Sequence, residues 1–283
     1  MVLESFISPF KAARKPWHMF FIGALYAVIS AFLAIWIFRQ HASLVMVFLT
    51  VIAAVPLMYR TMKKEEEADV TLRNEGEIMK EHFSVLKYLI FMFLGFVVAY
   101  SLLFIMLPLE LVNNLFFTQT ETIRAINSRV VGYVIGPASI FGQIFFNNLK
   151  VLMFCLFFSF FYGAGAIFIL TWNASVISAA IGEFARDKIA AVASALGSVN
   201  VFNYFHAFSL GLVRYFKHGI PEIAAYFVGG LAGGVISVAM INHDIETSKF
   251  KVIMIDALDL TLLAIGILFI AALLEVFVTP MFF

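Results

Sequence analysis

The chain has 283 residues, of which 63% are hydrophobic, only 13% are charged and 34 are phenylalanine. Soluble domains are about one quarter charged, so this composition excludes an ordinary water-soluble fold. The net charge of +1 gives no indication of a nucleic-acid partner, and none is expected.

The apolar residues form continuous runs, many of them close to 20 residues long. Such runs favour transmembrane helices over barrel strands, which would show short alternating segments. The sequence therefore predicts an all-α fold, a polytopic transmembrane helical bundle in the cell membrane with about seven spans, six being possible. No cofactor is expected. The single cysteine, Cys155, lies in an apolar run and has no partner for an intramolecular disulfide.

The N-terminal part is predicted to be a hairpin followed by a charged connector. Residues 17–38 and 42–59 are apolar runs separated by a short polar turn, so residues 1–59 form an N-terminal transmembrane hairpin. Residues 60–87 contain 13 of the 37 charged residues, and high helix propensity makes them a charged cytoplasmic helical connector. A solvated pair of short helices is the simpler interpretation of this connector, and a docking site for a soluble cytoplasmic partner is the alternative.

Residues 88–283 are predicted to form the membrane core. The core begins with a span at residues 88–107, and residues 108–128 are polar and loop-like. Residues 129–146 are apolar but interrupted by glycine and proline, which predicts one re-entrant or interfacial segment.

Four further spans complete the core. They are expected at residues 149–172, 189–213, 221–241 and 257–279. The second of these four is unusually polar for a span, because it contains Asn200, Asn203 and His206. If it does not cross the membrane, the bundle has six spans.

The basic residues predict the orientation, because lysine and arginine are in excess on the cytoplasmic side of membrane proteins. With seven spans and a cytoplasmic N-terminus, 13 of the 19 basic residues lie on the cytoplasmic side. The six-span arrangement gives the same count. The charges therefore predict a cytoplasmic N-terminus but not the number of spans.

Two asparagines, Asn147 and Asn148, stand immediately before an apolar run. Asparagine is a favourable N-cap, because its side-chain oxygen accepts hydrogen bonds from the free backbone N–H groups at a helix start. One asparagine is thus explained as the cap of a helix that begins at residue 149. The second can form a hydrogen bond to another segment.

A second polar segment, "HGIPE", stands before a later apolar run. Pro221 suits a first helical turn, and the helix dipole favours Glu222 there. A helix start accounts for Gly219 as well, but it gives His218 no structural role. A zinc site needs at least three ligands, and no second cluster has suitable spacing, so no metal site is predicted.

In the seven-span arrangement the two polar segments precede helices that run in the same direction. They would then lie on one face of the membrane and meet in a polar cluster with a structural or binding role. Its members are Asn147, Asn148, His218 and Glu222. In the six-span arrangement the two segments would lie about 30 Å apart.

Four glycines follow the second polar segment: Gly229, Gly230, Gly233 and Gly234. They form two overlapping G-x-x-x-G spacings, and small residues four apart let another helix approach closely. Packing within the monomer and packing across a homo-oligomer explain this pattern equally well.

Two aspartates, Asp256 and Asp259, begin the last span and share a helix face. The preferred interpretation places Asp256 at the membrane interface and pairs Asp259 inside the bundle. The alternative is an ion or proton site.

Taken together, "IFFNNLKVLMFCLFFSFFYGAGAIFILTWNASVISAAIG" and "HGIPEIAAYFVGGLAGG" resemble the stage II sporulation protein M family of membrane proteins. The family pattern has an NN pair that opens a span, an NG near the end of that span and a later HG-x-x-E-x-x-A motif. The matching residues are Asn147, Asn148, Asn173, His218, Gly219, Glu222 and Ala225. Two positions depart from the pattern: Ala174, where the family usually has a glycine that permits a tight left-handed turn, and Lys217, where proline is common.

The resemblance adds Asn173 and Gly219 to the polar cluster and covers roughly residues 88–283, so the hairpin and connector look like additions to a family core. It implies an envelope-associated membrane protein, since in spore formers the family member works in a complex that remodels the cell wall during engulfment. The family is broad, so the resemblance implies little about biochemical activity. The residues show no wall-hydrolase site.

Three functions are compatible with these patterns. A non-enzymatic scaffold, or a subunit of a membrane complex that includes copies of itself or other membrane proteins, is favoured by the glycine face and the charged connector. A transporter or channel for a small solute or ion is the alternative, favoured by the interrupted segment and the polar residues. An intramembrane enzyme using His218 and Glu222 as acid and base would lack a nucleophile or metal, so the chain is not expected to be an enzyme.

Overall fold

The computed structural model describes residues 16–71, 75–130, 136–159, 164–241 and 248–278. Within these ranges it describes only the backbone of residues 59, 61–71, 75–85, 126–130, 137, 164–166, 216–218, 238, 241 and 248–249. The described residues form helices and no β-strand, which confirms the predicted all-α fold.

The described residues form a bundle of eight α-helices. They are α1 (Trp17–Phe38), α2 (Ala42–Thr71), α3 (Glu75–Met106), α4 (Leu109–Val130), α5 (Pro137–Ser159), α6 (Ala164–Leu196), α7 (Val201–Ile241) and α8 (Ser248–Leu273). A 3-10 turn, Arg39–His41, joins α1 to α2, and a π-helical turn, Leu274–Val278, follows α8. All eight helices contribute residues to one hydrophobic core.

Six stretches of the described chain are long and apolar enough to cross a bilayer: Trp17–Met58, Leu86–Met106, Ala138–Ser159, Ile167–Leu196, Gly219–Ser237 and Phe250–Val278. The first has 42 residues, which is about 63 Å of helix and twice a bilayer core of roughly 30 Å. It contains the break at Phe38, where the backbone leaves the helical conformation, and so consists of two apolar helices. The chain is therefore a polytopic membrane protein, as predicted, with seven apolar helical segments in its described part.

The junction between α6 and α7 is set by local sequence signals. Gly197 ends α6 with φ of 68°, a left-handed conformation that glycine adopts without strain. Asn200 and Asn203 begin α7, because each backbone N–H donates to the side-chain oxygen of the other, at 3.0 and 3.1 Å. This reciprocal arrangement is a capping box.

The junction shows that the span predicted at residues 189–213 is wrong. That run consists of the end of α6 and the beginning of α7, and Ile167–Leu196 is the stretch long and apolar enough to cross. Asn200 and Asn203 made the run unusually polar because they cap a helix.

The span predicted at residues 149–172 is also wrong. Helix α5 begins at Pro137, where a residue without an N–H group is tolerated, and it ends at Ser159. Residues 160–163 lie outside the described residues, and α6 begins after them. The re-entrant segment predicted at residues 129–146 is not found in its described part, because the residues from Pro137 onward are the first half of α5.

The last two predicted spans, at residues 221–241 and 257–279, overlap the apolar stretches Gly219–Ser237 and Phe250–Val278, but the helices that contain them begin earlier. Pro221 lies inside α7, twenty residues after the helix begins, and α8 begins at Ser248 rather than at residue 257. A proline inside a helix removes one backbone hydrogen bond and favours a kink. The segment "HGIPE" therefore lies within a long helix that continues through Pro221.

The loop predicted at residues 108–128 is helix α4. Leu115, Phe116 and Gln119 of this helix are completely buried, because residues three and four apart lie on one helix face. The opposite face of α4 is polar, and these polar residues led to the prediction of a loop.

Side-chain contacts fix the directions of the helices. Arg39 and Glu110 pair at 2.5 Å, and the end of the bundle that holds them is called the Arg39 end. Helices α1 and α3 end there, and α2 begins there. Arg186 of α6 donates to the carbonyl oxygens of Phe104 and Leu107, at 2.8 and 2.5 Å, so α6 also runs towards the Arg39 end.

The remaining helices complete an alternating arrangement. The Phe227 ring of α7 contacts Phe93 of α3, while Gly211 of α7 lies against Ile181 near the Arg39 end. Helix α7 therefore runs away from the Arg39 end, as α5 does, and α8 returns towards it. Successive apolar segments thus alternate in direction, as seven crossings require.

The arrangement changes the distribution of basic residues. Arg186 lies at the Arg39 end and Lys188 follows it there, whereas the sequence predicted both on the same side as the N-terminus. The connector lies at the opposite end, and its described backbone is helical, since α2 continues to Thr71 and α3 begins at Glu75. Its location in the cytoplasm stays a prediction.

Helices α1 and α3 pack through glycines. A Cβ atom on Gly95 would overlap the Phe20 carbonyl oxygen and lie 2.8 Å from the Ala24 nitrogen. A Cβ atom on Gly23 would overlap the Met92 carbonyl oxygen. The two backbones are therefore in direct contact, and neither side can move away as a flexible side chain could.

We expect Gly95→Ala to lower the free energy of unfolding by about 1–3 kcal/mol, because the added methyl group forces the two backbones apart. The matched control is Gly142→Ala, where a Cβ atom meets nothing within 4 Å. This control should be neutral or stabilising by up to about 1 kcal/mol, since alanine favours helix over glycine. Unfolding of both variants in bicelles measures the difference, and equal stabilities would contradict the contact.

Candidate functional site

Asn148 of α5 and Glu222 of α7 are in direct contact. The Asn148 amide nitrogen donates to Glu222 Oε1 at 2.5 Å, and only 8% of Asn148 is exposed. The two polar segments therefore meet at one level of the bundle, as the seven-span arrangement predicted. The local reason differs from the prediction, because both residues lie inside helices and Asn148 caps no helix start.

The contact follows from the directions of α5 and α7. Both helices run away from the Arg39 end, so a residue of α5 stays level with one residue of α7 and the two can pair. A polar group buried in apolar surroundings is stable only when it finds a partner. The amide N–H group and the carboxyl oxygen supply that partner to each other and connect the two helices.

Glycines bring α7 close to α5 on the same face. A Cβ atom on Gly233 would overlap the Leu156 carbonyl oxygen, and one on Gly229 would overlap a leucine side chain of α5. Gly230 and Gly234 are buried as well. At Gly229 and Gly233 the predicted close packing is thus a contact within the monomer, one of the two possibilities that the sequence left open.

A second carboxyl group, from Glu275, lies close enough to Glu222 for the two to interact. Glu275 belongs to the π-helical turn after α8. Tyr226, one turn after Glu222 on α7, lies near both carboxyl groups and near the Cys155 thiol. The cluster therefore joins α5, α7 and the C-terminal turn.

Sequence reasoning left Glu275 and Tyr226 out of the site. The available signal for Glu275 was an acidic residue inside the last apolar run, since such residues are usually paired or functional. Nothing in the sequence placed Glu275 next to Glu222, because the contact depends on the return direction of α8.

The other predicted members of the cluster have different positions. Asn147 is exposed on the outer side of α5, and Gly219 is buried in α7. The His218 side chain lies outside the described residues. Asn173 lies inside α6, where its amide donates to the Ile169 carbonyl oxygen at 2.8 Å.

The position of Asn173 also shows that the tight turn of the family pattern does not form here. Helix α6 continues without interruption through Asn173 and Ala174. A left-handed turn is therefore absent here, in agreement with an alanine where the family usually has glycine.

The two aspartates of α8 have the opposite positions to those predicted. Asp259 is exposed on the outer face of α8, whereas Asp256 is the more buried of the two. Asp259 forms no hydrogen bond or ion pair with the described residues, so its predicted pairing inside the bundle is wrong. No group of three or more histidine, cysteine or acidic side chains that could hold a metal occurs in the described part of the chain.

A second polar cluster centres on Gln119 of α4, which is completely buried. Its amide nitrogen donates to the Ser175 hydroxyl at 3.1 Å and to the Ser43 carbonyl oxygen at 3.3 Å. The Thr118 and Ser43 hydroxyls lie 2.5 Å apart. This cluster joins α2, α4 and α6, and the sequence analysis missed it because it predicted a loop at residues 108–128.

The family described as stage II sporulation protein M (SpoIIM) matches residues 24–280, which include both polar segments. The match begins well before residue 88, the predicted start of the resemblance, and includes most of the N-terminal hairpin. Neither a curated protein nor a solved structure matches the chain.

We expect Asn148→Leu to lower the free energy of unfolding by about 1–3 kcal/mol, because it leaves the buried Glu222 carboxyl without its donor. The adjacent, exposed Asn147→Leu is the matched control and should change stability less. A double-mutant cycle with Glu222→Leu should give a coupling energy of about 0.5–2 kcal/mol. A coupling energy of zero would show that the hydrogen bond does not form in the bilayer.

Proposed function

Because the chain belongs to the stage II sporulation protein M family, we propose that it is a non-enzymatic membrane scaffold, a subunit of an envelope-associated membrane complex. Its task is to hold partner proteins at fixed positions in the membrane. The family and the apolar helices establish that the chain is a membrane protein. The scaffold role is the additional proposal.

The Asn148–Glu222 hydrogen bond is the observation that carries this proposal. Two polar residues of the family pattern, Asn148 and Glu222, bind each other between α5 and α7. They lie beside glycine contacts that leave no gap at Gly233. Polar groups used in this way stabilise one arrangement of helices. A membrane scaffold needs such an arrangement, since its partners bind to a fixed outer surface.

The connector supports the same proposal from the opposite end of the bundle. Helix α2 continues beyond its apolar stretch to Thr71, and α3 begins at Glu75, before its own apolar stretch. Residues 60–87 carry 13 charged residues. We propose that these charged helices project into the cytoplasm and bind a soluble partner.

Transport of an ion or small solute is the second candidate. The observation in its favour is that Glu222 and Glu275 lie close together, each within a stretch apolar enough to cross a bilayer. Acidic residues in such positions often belong to ion or proton pathways. Pro221 lies inside α7 and a π-helical turn follows α8, both beside the carboxyl groups. Irregular helices at a binding site are common in transporters.

Two substitutions at one position separate these functions. Glu222→Gln keeps the size of the side chain and an oxygen that accepts from Asn148, whereas Glu222→Leu removes the acceptor. For a scaffold, we expect Gln to preserve the native complex in mild detergent and Leu to disrupt it. Proteoliposomes should show no proton or cation flux above that of empty liposomes.

Loss of cellular function in Glu222→Gln, together with a flux in the wild-type chain that this variant abolishes, would favour transport and contradict the scaffold. The complex is measured by native electrophoresis of membranes solubilised under identical conditions. Folding of each variant is checked by its thermal stability, so that misfolding is not counted as loss of function.

A further inference from the structure

The outer face of α5 carries a row of exposed side chains at heptad spacing. The α5 row consists of Ser139, Gln143, Phe146, Lys150, Met153 and Phe157, all of them exposed. Alternating intervals of three and four residues place a row on one helix face, in the pattern that packs against another helix. The buried face of α5, which includes Asn148, points the other way.

The outer face of α8 carries a second row of the same kind. The α8 row consists of Ile255, Asp259, Leu262, Gly266, Phe269 and Leu273, all of them exposed. A Cβ atom on Gly266 would meet nothing within 4 Å. This glycine therefore leaves open space on the outer surface of α8.

Each row contains one charged side chain within a stretch apolar enough to cross a bilayer. Lys150 lies in Ala138–Ser159 and Asp259 lies in Phe250–Val278. Neither forms a hydrogen bond or an ion pair with the described part of the chain. A lysine or aspartate at the centre of a spanning helix strongly opposes insertion when it faces lipid. Neither charge therefore has a partner among the described residues, and a second copy of the chain can supply one.

The two charges lie at nearly the same depth. Phe269 of α8 contacts Phe141 and Phe145 of α5, which places it level with about residue 143. Helices α5 and α8 run in opposite directions, so Asp259 is level with about residue 153. At 1.5 Å per residue, Lys150 and Asp259 differ in depth by roughly 5 Å, within reach of a lysine side chain.

Copies related by an axis along the membrane normal keep each residue at its own depth. We infer that a second copy of this chain covers these rows, with α5 of one copy antiparallel to α8 of the other and Lys150 paired with Asp259 across the contact. The same alignment sets Phe146 opposite Gly266, a large side chain opposite an open position. A contact between two α5 rows would instead bring two ammonium groups together, since residues 131–182 contain no acidic residue.

The inference rests on the proposed scaffold function, for which it names one partner. Its test uses the full chain in nanodiscs or liposomes, with the fraction of dimers and larger assemblies counted by single-molecule photobleaching. We expect Lys150→Asp and Asp259→Lys each to weaken self-association by about tenfold. Mixing the two variants should restore it between unlike copies, because the carboxylate introduced on α5 of one copy then faces the ammonium group introduced on α8 of the other.

Cross-linking tests the geometry in the same preparations. Cys155→Ala removes the single native cysteine, and Phe146→Cys and Gly266→Cys are then placed in separate, differently tagged copies. We expect a disulfide between the two tags. Moving the first cysteine to the buried position 152 is the matched control, which should give none.

Three results would overturn the inference: a wild-type chain that is monomeric in bilayers, single charge reversals that leave association unchanged, or a mixture that fails to recover. A monomer that loses a membrane partner on charge reversal would assign the rows to a different protein. These outcomes do not decide the scaffold proposal. That proposal is tested separately by the native complex and the flux measurements with Glu222 variants.

Discussion

A polar side chain among membrane-spanning helices has few partners other than protein, and this constraint governs the arrangement of the bundle. Asn148 binds Glu222, and Gln119 binds Ser175 and a backbone carbonyl group. Each of these bonds connects different helices. Water does not replace a broken bond in such surroundings, so each polar cluster favours one helix arrangement over its alternatives.

The bonds are effective because the helices are close together. Glycines at positions 23, 95 and 233 allow backbone contact between α1 and α3 and between α5 and α7. At such short separations a side chain as small as asparagine reaches across to the next helix. The surfaces that we propose for partner binding are the outer faces of α5 and α8, which carry exposed charges.

The sequence predicted the membrane class, the N-terminal hairpin turn and the meeting of Asn148 with Glu222, since long apolar runs and charged ends are strong local signals. It misplaced helix ends wherever an apolar run contained a turn. Hydropathy does not distinguish a helix from two helices joined at Gly197, and Asn200 is polar both in a cap and in a span. The place of Glu275 in the site depends on how α8 returns across the bundle, which no local pattern encodes.

The account depends most on α5 and α7 running side by side with Asn148 level with Glu222. Disulfide formation between Asn148→Cys and Glu222→Cys in a Cys155→Ala chain tests this directly, because a disulfide requires Cα atoms within about 7 Å. We expect loss of both free thiols within single chains. A cysteine pair at 159 and 222 should keep its free thiols, because residue 159 lies roughly 16 Å further along α5 than residue 148. Free thiols at 148 and 222 under conditions that oxidise the 159 and 222 pair would contradict the account.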